Sequence, residues 1–240
     1  MSPRPVVIVG AGGFAREAAE TVRAIHAHDG SVELLGFLDD DPGLHGHHVV
    51  GAPVLGPVEQ VADHPDAGVV VAVGRPDAYT VRRDIVARLG LAPHRYATLV
   101  HPGSSVGDSC LVGAGTVVLA HVTMTADVTV GEHVMVMPQV VLTHDVRVDD
   151  HATLASGIRL GGAVHVGVGA YLGSGVLVRE GCRIGSWSLI GMGSTVTTDV
   201  PDERVWFGSP ARDVRRAPLP WPATGPINNH SPLRPERVTP

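Results

Sequence analysis

From Val106 onward, an aliphatic residue or a methionine returns at every sixth position, sixteen times in succession. The series runs Val106, Val112, Val118, Met124, Val130, Val136, Leu142, Val148, Leu154, Leu160, Val166, Leu172, Val178, Ile184, Ile190 and Val196. A second column two positions earlier, from Ser104 to Ser194, holds small or β-branched side chains, which suit an interior packed between stacked walls. A helix repeats every 3.6 residues and a strand every two, so neither produces this period. A hexapeptide repeat predicts a parallel β-helix in which each repeat is one flat wall of a triangular coil, giving about five coils in all. Such a solenoid has open ends, which must be covered.

The residues before the repeats follow a different pattern. Val6–Val9 reads as a buried strand, followed by Gly10-Ala-Gly-Gly-Phe-Ala15 and a helix through about Ile25. A second strand spans Val32–Leu38 and runs into Asp39-Asp-Asp41; a third spans Gly68–Val73, with a helix near Ala78–Leu89. Alternation of strand and helix predicts a small parallel sheet. Gly10-x-Gly12-x-x-Ala15 resembles the dinucleotide fingerprint, in which glycines let backbone approach a phosphate at a helix N-terminus. A full dinucleotide site needs two mononucleotide halves. About 100 residues supply one, so a single nucleotide or nucleotide-sugar fits better than NAD. A tight turn without ligand gives the same pattern. The expected organisation is therefore α/β plus all-β: a Rossmann-like domain over residues 1–100, a β-helix over 101–216 with a C-terminal cap, and a tail over 217–240. That tail holds seven prolines in 24 residues and cannot bury enough surface to order itself.

Composition narrows the partners. A 44% hydrophobic content with net charge −6 predicts a soluble, mildly acidic protein, with no basic concentration suited to nucleic acid. No apolar run approaches the length of a membrane span, and no secretory leader is visible. Cys110 and Cys182 lie 72 residues apart, four coils of eighteen. At the sheet spacing this separates them by roughly 19 Å, too far for a disulfide. Two buried structural thiols and a cytoplasmic location are expected.

With interior columns aliphatic, chemistry must project from corners and outer faces. His144 does so, two places after the inward Leu142, with Asp145 next to it. Histidine suits general-base work near neutral pH, and a carboxylate beside it orients the ring. Neighbouring strand residues point oppositely, however, so the pair works only if a corner bends the two together. A solvated histidine at a turn is the simpler alternative. Gly162, one coil later, opens space and a backbone N–H beside the imidazole, a candidate oxyanion donor. His133 and His151, eighteen apart, stack on neighbouring coils, but no third ligand shares their column. Zinc normally takes three or four ligands, so exposed wall histidines and no bound metal are expected.

These features resemble the bacterial hexapeptide-repeat acetyltransferases of the PglD and NeuD type, which acetylate nucleotide-activated amino sugars or sialic acid. The resemblance covers residues 5 to about 216 and rests on Gly10–Ala15, Gly36-Phe-Leu-Asp39-Asp40, the hexads, Thr143-His144-Asp145 and Phe207-Gly208-Ser-Pro210-Ala211. It implies a left-handed β-helix, a homotrimer with active sites between subunits, and acetyl-CoA as co-substrate. It implies His144 as general base, Asp145 as its partner, and Gly10, Gly12, Gly13, Asp39 and Asp40 in the nucleotide-sugar pocket. Ser174, Met192, Gly162 and Thr153 fall on acetyl-CoA positions. The family carries a second histidine at the position of Thr153, whereas this chain has His151 two residues earlier. The implied reaction is direct acyl transfer to an amino or hydroxyl group. A γ-carbonic-anhydrase-like metal hydratase and a non-catalytic trimeric nucleotide-binding scaffold are the competing readings, since one fold serves many functions.

Overall fold

The computed structural model describes residues 2–217, so all of the proline-rich segment beyond Ala217 lies outside the described residues. The hexads form a parallel β-helix of two-residue strands. Each strand pairs in parallel with the one eighteen residues later, as Thr123 does with Val141 and Val141 with Arg159. The first wall starts at Leu99–Val100 and repeats through Val117, Met135, Thr153, Tyr171 and Leu189; the second starts at Ser105–Val106, the third at Leu111–Val112. The second residue of each strand is the hexad position and points inward. From Val118 to Val196 these residues and the apolar residues of the column two earlier form one continuous buried cluster. The first residue of each strand points outward, where Leu111 is 65% exposed.

The corners have their own period. Fourteen consecutive corner residues, from Gly115 to Gly193 at six-residue spacing, have positive φ. Eight of them are not glycine: His121, Asp127, His133, Gln139, Asp145, His151, Ala163 and Trp187. Left-handed backbone costs a non-glycine residue roughly 1–2 kcal/mol. Coil-to-coil hydrogen bonds hold it in place, as when Asp145 N–H donates to the Ala126 carbonyl at 3.0 Å.

The N-terminal unit is a five-stranded sheet. Its strands are β1 (Arg4–Val9), β2 (Val32–Leu38), β3 (His48–Val49), β4 (Ala52–Gly56) and β5 (Gly68–Val71), in the order β3-β4-β2-β1-β5. Helix α1 (Gly13–Asp29) connects β1 to β2, and α2 (Val81–Leu89) follows β5. The expected third strand thus ends two residues early and the expected second helix starts three residues late. The intervening segment leaves the sheet to reach the coil, where the Tyr79 hydroxyl donates to the Trp187 carbonyl at 2.9 Å. Ala15, Ala18 and Val22 of α1 share a buried cluster with Leu99, Val117, Leu119 and Met135 of the first wall. The α/β unit therefore covers the first wall and leaves the other two open.

At the far end, Val205 of the strand Arg204–Gly208 pairs in parallel with Leu189, and Ala211–Arg216 folds back antiparallel on it. This hairpin closes the edge of the first wall. Cys182 is buried, but Cys110 is only half-buried, which corrects the expectation for that thiol. It sits in the first coil, where no earlier rung stacks on its column. Among the described residues no helix is long and apolar enough to cross a membrane.

Candidate active site

His144 and Asp145 occupy the corner between the second-wall strand Val141–Leu142 and the third-wall strand Arg147–Val148. The positive φ of Asp145, +60°, removes the alternation that would have pointed the two side chains apart. The result is a hydrogen bond of 2.8 Å between His144 Nδ1 and Asp145 Oδ2. Asp145 accepts, so Nδ1 carries the proton and Nε2 is left with a lone pair. Both side chains are about two-thirds exposed, at 67% and 61%. The main chain is fixed, since the His144 carbonyl accepts from Ala163 N–H at 2.9 Å.

Gly162 lies directly beneath the ring. A Cβ built there would sit 2.4 Å from His144 Cε1 and 2.5 Å from Nε2. The glycine is therefore a steric requirement for the imidazole position. His144, Asp145 and Gly162 form one group, as the sequence suggested. Ser174 and Met192 form another, stacked one coil apart at the opposite edge of the second wall. Both are exposed, Met192 to 77%.

Thr153 belongs to neither group. It lies on the first wall, 9% exposed, and its Oγ1 accepts a 2.8 Å hydrogen bond from the guanidinium of Arg82. Arg82 is a residue that sequence reasoning missed. It also donates to the carbonyls of Val73, His151 and Ala152, and so bolts the end of β5 to the coil.

His133 and His151 depart from expectation. They are not exposed wall residues: His133 is buried, and the two rings stack 5.3 Å apart, with Tyr96 edge-on to His133. The α/β unit covers this corner through Tyr96 and Arg82. Burial, then the neighbouring His151 and Arg82 charges, pushes His133 down to about 4 against the opposing pull of Asp150. Burial and Arg82 push His151 to about 4 as well, with Arg83 adding to the shift and Asp84 and Asp150 resisting it. An unfolded histidine titrates near 6.5. Between these values the unfolded chain binds protons that the folded chain refuses, so stability falls as pH drops from about 6.5 towards 4. Thermal unfolding midpoints should be flat above about pH 7 and decline below pH 6, with a shallower decline in His133→Asn. A midpoint as high at pH 5 as at pH 7.5 would contradict the burial of this pair.

In the α/β unit, Gly10 has φ +100°, and any side chain there would strike Val73. Gly12 precedes α1 in extended conformation and Gly13 opens it. Asp39 is buried, and both its oxygens are engaged: Oδ2 accepts from Ala11 N–H at 2.8 Å and Oδ1 from Asp41 N–H at 3.0 Å. It ties the glycine loop to the end of β2. Asp40 accepts from Val58 N–H and pairs with Arg88 at 2.7 Å. Both carboxylates thus shape the loop that leads into the α1 N-terminus. Among the described residues no group of three His, Cys, Asp or Glu could hold a metal ion.

Comparison with known proteins places this geometry. Residues 5–89 match the PglD N-terminal domain family. A UDP-N-acetylbacillosamine N-acetyltransferase from Bacillus subtilis (strain 168) is 34% identical over 117 residues, 48% of this chain and 51% of the relative. The match thus spans about half the length of that curated relative. The acetyltransferase domain of PglB from Neisseria gonorrhoeae FA1090, also solved with acetyl coenzyme A, superposes with a TM-score of 0.78 at 28% identity, over 88% of this chain and 100% of that one. A perosamine N-acetyltransferase from Caulobacter crescentus, solved with CoA and GDP-perosamine, gives the same TM-score and identity over 88% and 97%. Superposition at this level fixes the winding sense, and the coil is a left-handed β-helix.

Proposed function

We propose that this chain, a PglD-type hexapeptide-repeat sugar acetyltransferase in build, transfers an acyl group from acetyl-CoA to an amino group of a nucleotide-activated sugar. The observation that carries the reading is the oriented imidazole of His144 at an exposed corner, held by Asp145 through Nδ1 and resting over Gly162. The relatives' activities, and the CoA and GDP-perosamine in one of their structures, support it.

The sugar amine attacks the thioester carbonyl carbon, and His144 Nε2 takes the proton that the nitrogen loses. The tetrahedral intermediate collapses, the C–S bond breaks, and the CoA thiolate leaves, to be protonated from the imidazolium. No covalent enzyme intermediate is needed. Asp145 holds the working tautomer, and the Gly162 N–H, which has no hydrogen-bond partner among the described residues, is the candidate donor to the oxyanion. The nucleotide-sugar phosphates meet the Gly10–Gly13 loop and the α1 N-terminus, and CoA passes Ser174 and Met192 along the open second wall. An exposed catalytic pair and two walls left uncovered by the described residues suit a homotrimer, in which His144 of one subunit faces a neighbour across a shared cleft. Two free thiols suit a reducing, cytoplasmic setting.

The test is thiol release from acetyl-CoA with a panel of nucleotide-linked amino sugars. Release that depends on both substrates supports the reading, and its absence across UDP-, GDP- and dTDP-linked amines defeats it.

A further inference from the structure

Along the corner between the third and first walls, Gly115, His133, His151, Gly169 and Trp187 follow one another at eighteen-residue spacing, all with positive φ except as glycine freely allows it. The glycines make room for the rings, since a Cβ on Gly115 would strike His133 and one on Gly169 would strike Trp187. The α/β unit grips this ladder through residues 74–89. The Tyr79 hydroxyl donates to the Trp187 carbonyl, the Arg83 guanidinium lies 4.9 Å from the centre of the Trp187 ring, and Arg82 donates to the His151 and Ala152 carbonyls. Tyr96 meets His133 edge-on, and the two imidazoles stack 5.3 Å apart.

The grip is poorly satisfied. The Nδ1 atoms of His133 and His151, the Arg82 Nε and the Thr80 hydroxyl are buried without a hydrogen-bond partner among the described residues. Arg82 is 1% exposed, and no carboxylate among the described residues forms an ion pair with it. A proton on either ring therefore sets a second positive charge beside a buried one that has no counter-ion. The charged groups facing the pair are Arg82, Arg83 and Asp84 from α2 and Asp150 from the coil. Asp84 is already paired with Arg83 at 2.6 Å, and Asp150 accepts from Glu132 N–H at 2.8 Å. Tyr96 stays neutral, its hydroxyl pushed up by burial.

We propose that the His133–His151 stack is an acid-released latch: protonation of the two rings frees residues 74–89 from the coil corner, while the hexads and the contact of α1 with the first wall stay folded. The parts left behind keep their own cores. The coil interior is one apolar cluster, and α1 packs with Leu99, Val117, Leu119 and Met135 in another. Release reaches the glycine loop, because Gly10 abuts Val73 at the root of the segment and Arg88 within it pairs with Asp40. Once exposed, the rings titrate near 6.5, whereas in the closed latch they take up protons only at about 4. The closed form is thus fully favoured above about pH 7 and loses ground as pH falls through 6 towards 4.

The experiment is amide hydrogen exchange of the full chain at pH 7.5 and pH 5, read as protection factors, which remove the chemical pH dependence of exchange. Helix α2 has nine residues and cannot hold itself without its contacts, so release exposes its amides. Protection over residues 74–89 is expected to fall by about 10²-fold at pH 5, each ring contributing roughly tenfold. Protection over residues 141–190 should hold. His133→Phe/His151→Phe keeps two rings without a titratable nitrogen and should leave protection over residues 74–89 equal at both pH values. If that variant fails to fold, His133→Asn and His151→Asn measured singly should each recover about tenfold. Unchanged protection over residues 74–89 in the wild type, an equal loss across the hexads, or a loss that persists in the histidine variants overturns the latch. The readout uses neither substrate, so its failure and that of the acyl-transfer reading are separate.

Discussion

His144→Ala is expected to lower kcat by about 10²–10⁴, the range that general acid–base catalysis contributes. The side chain is exposed and buries no core surface, so the loss should come without unfolding, and the thermal midpoint should move little. Its Nδ1 is bound to Asp145 at 2.8 Å, which leaves Nε2 as the ring's free basic nitrogen. A residue that merely decorated the turn would leave kcat unchanged. Asp145→Asn should give a smaller loss of the same kind, since an amide can present its N–H to Nδ1 and favour the wrong tautomer. Near wild-type turnover in His144→Ala, with the assembly intact, would remove the base from the mechanism.

The coil was legible because its interior admits one kind of residue at a fixed spacing. Every hexad position from Val118 onward is buried, as the period demanded. The His144–Asp145 pair was legible only in part. Their adjacency was visible, but whether they cooperate depended on a backbone angle, and the +60° φ of Asp145 belongs to a non-glycine corner that sequence does not flag. His133 and His151 were correctly stacked by the eighteen-residue interval yet wrongly exposed. Their burial is decided by Tyr96 and Arg82, from a separate unit whose docking face no repeat encodes. Arg82 itself was invisible. It is one of two adjacent arginines at the start of a short helix; Arg83 stays near the surface over Trp187 while Arg82 is enclosed. Its partners on the coil lie 69 to 71 residues away, and only tertiary structure brings them together. Local pattern thus revealed what repeats, and missed what one unit does to another.

Gly162→Ala tests the same site from below. The added methyl would stand 2.4 Å from His144 Cε1 and 2.5 Å from Nε2, distances that no settled structure tolerates. The backbone has no reason to yield, because Gly162 is absent from the positive-φ residues and its carbonyl keeps the bond from Gly181 N–H. The imidazole yields instead. It sits at the end of a mobile side chain, and turning away breaks its bond to Asp145. A displacement near 1 Å at a reacting group can cost about 10²-fold in rate, so kcat should fall by that order while the fold survives. Because alanine retains its backbone N–H, the loss reports the position of the base and not removal of the oxyanion donor. Combination with His144→Ala should then add almost nothing, since both variants remove one function. Additive losses would mean that Gly162 acts through its own N–H geometry, and a silent Gly162→Ala would mean that the working imidazole does not rest there.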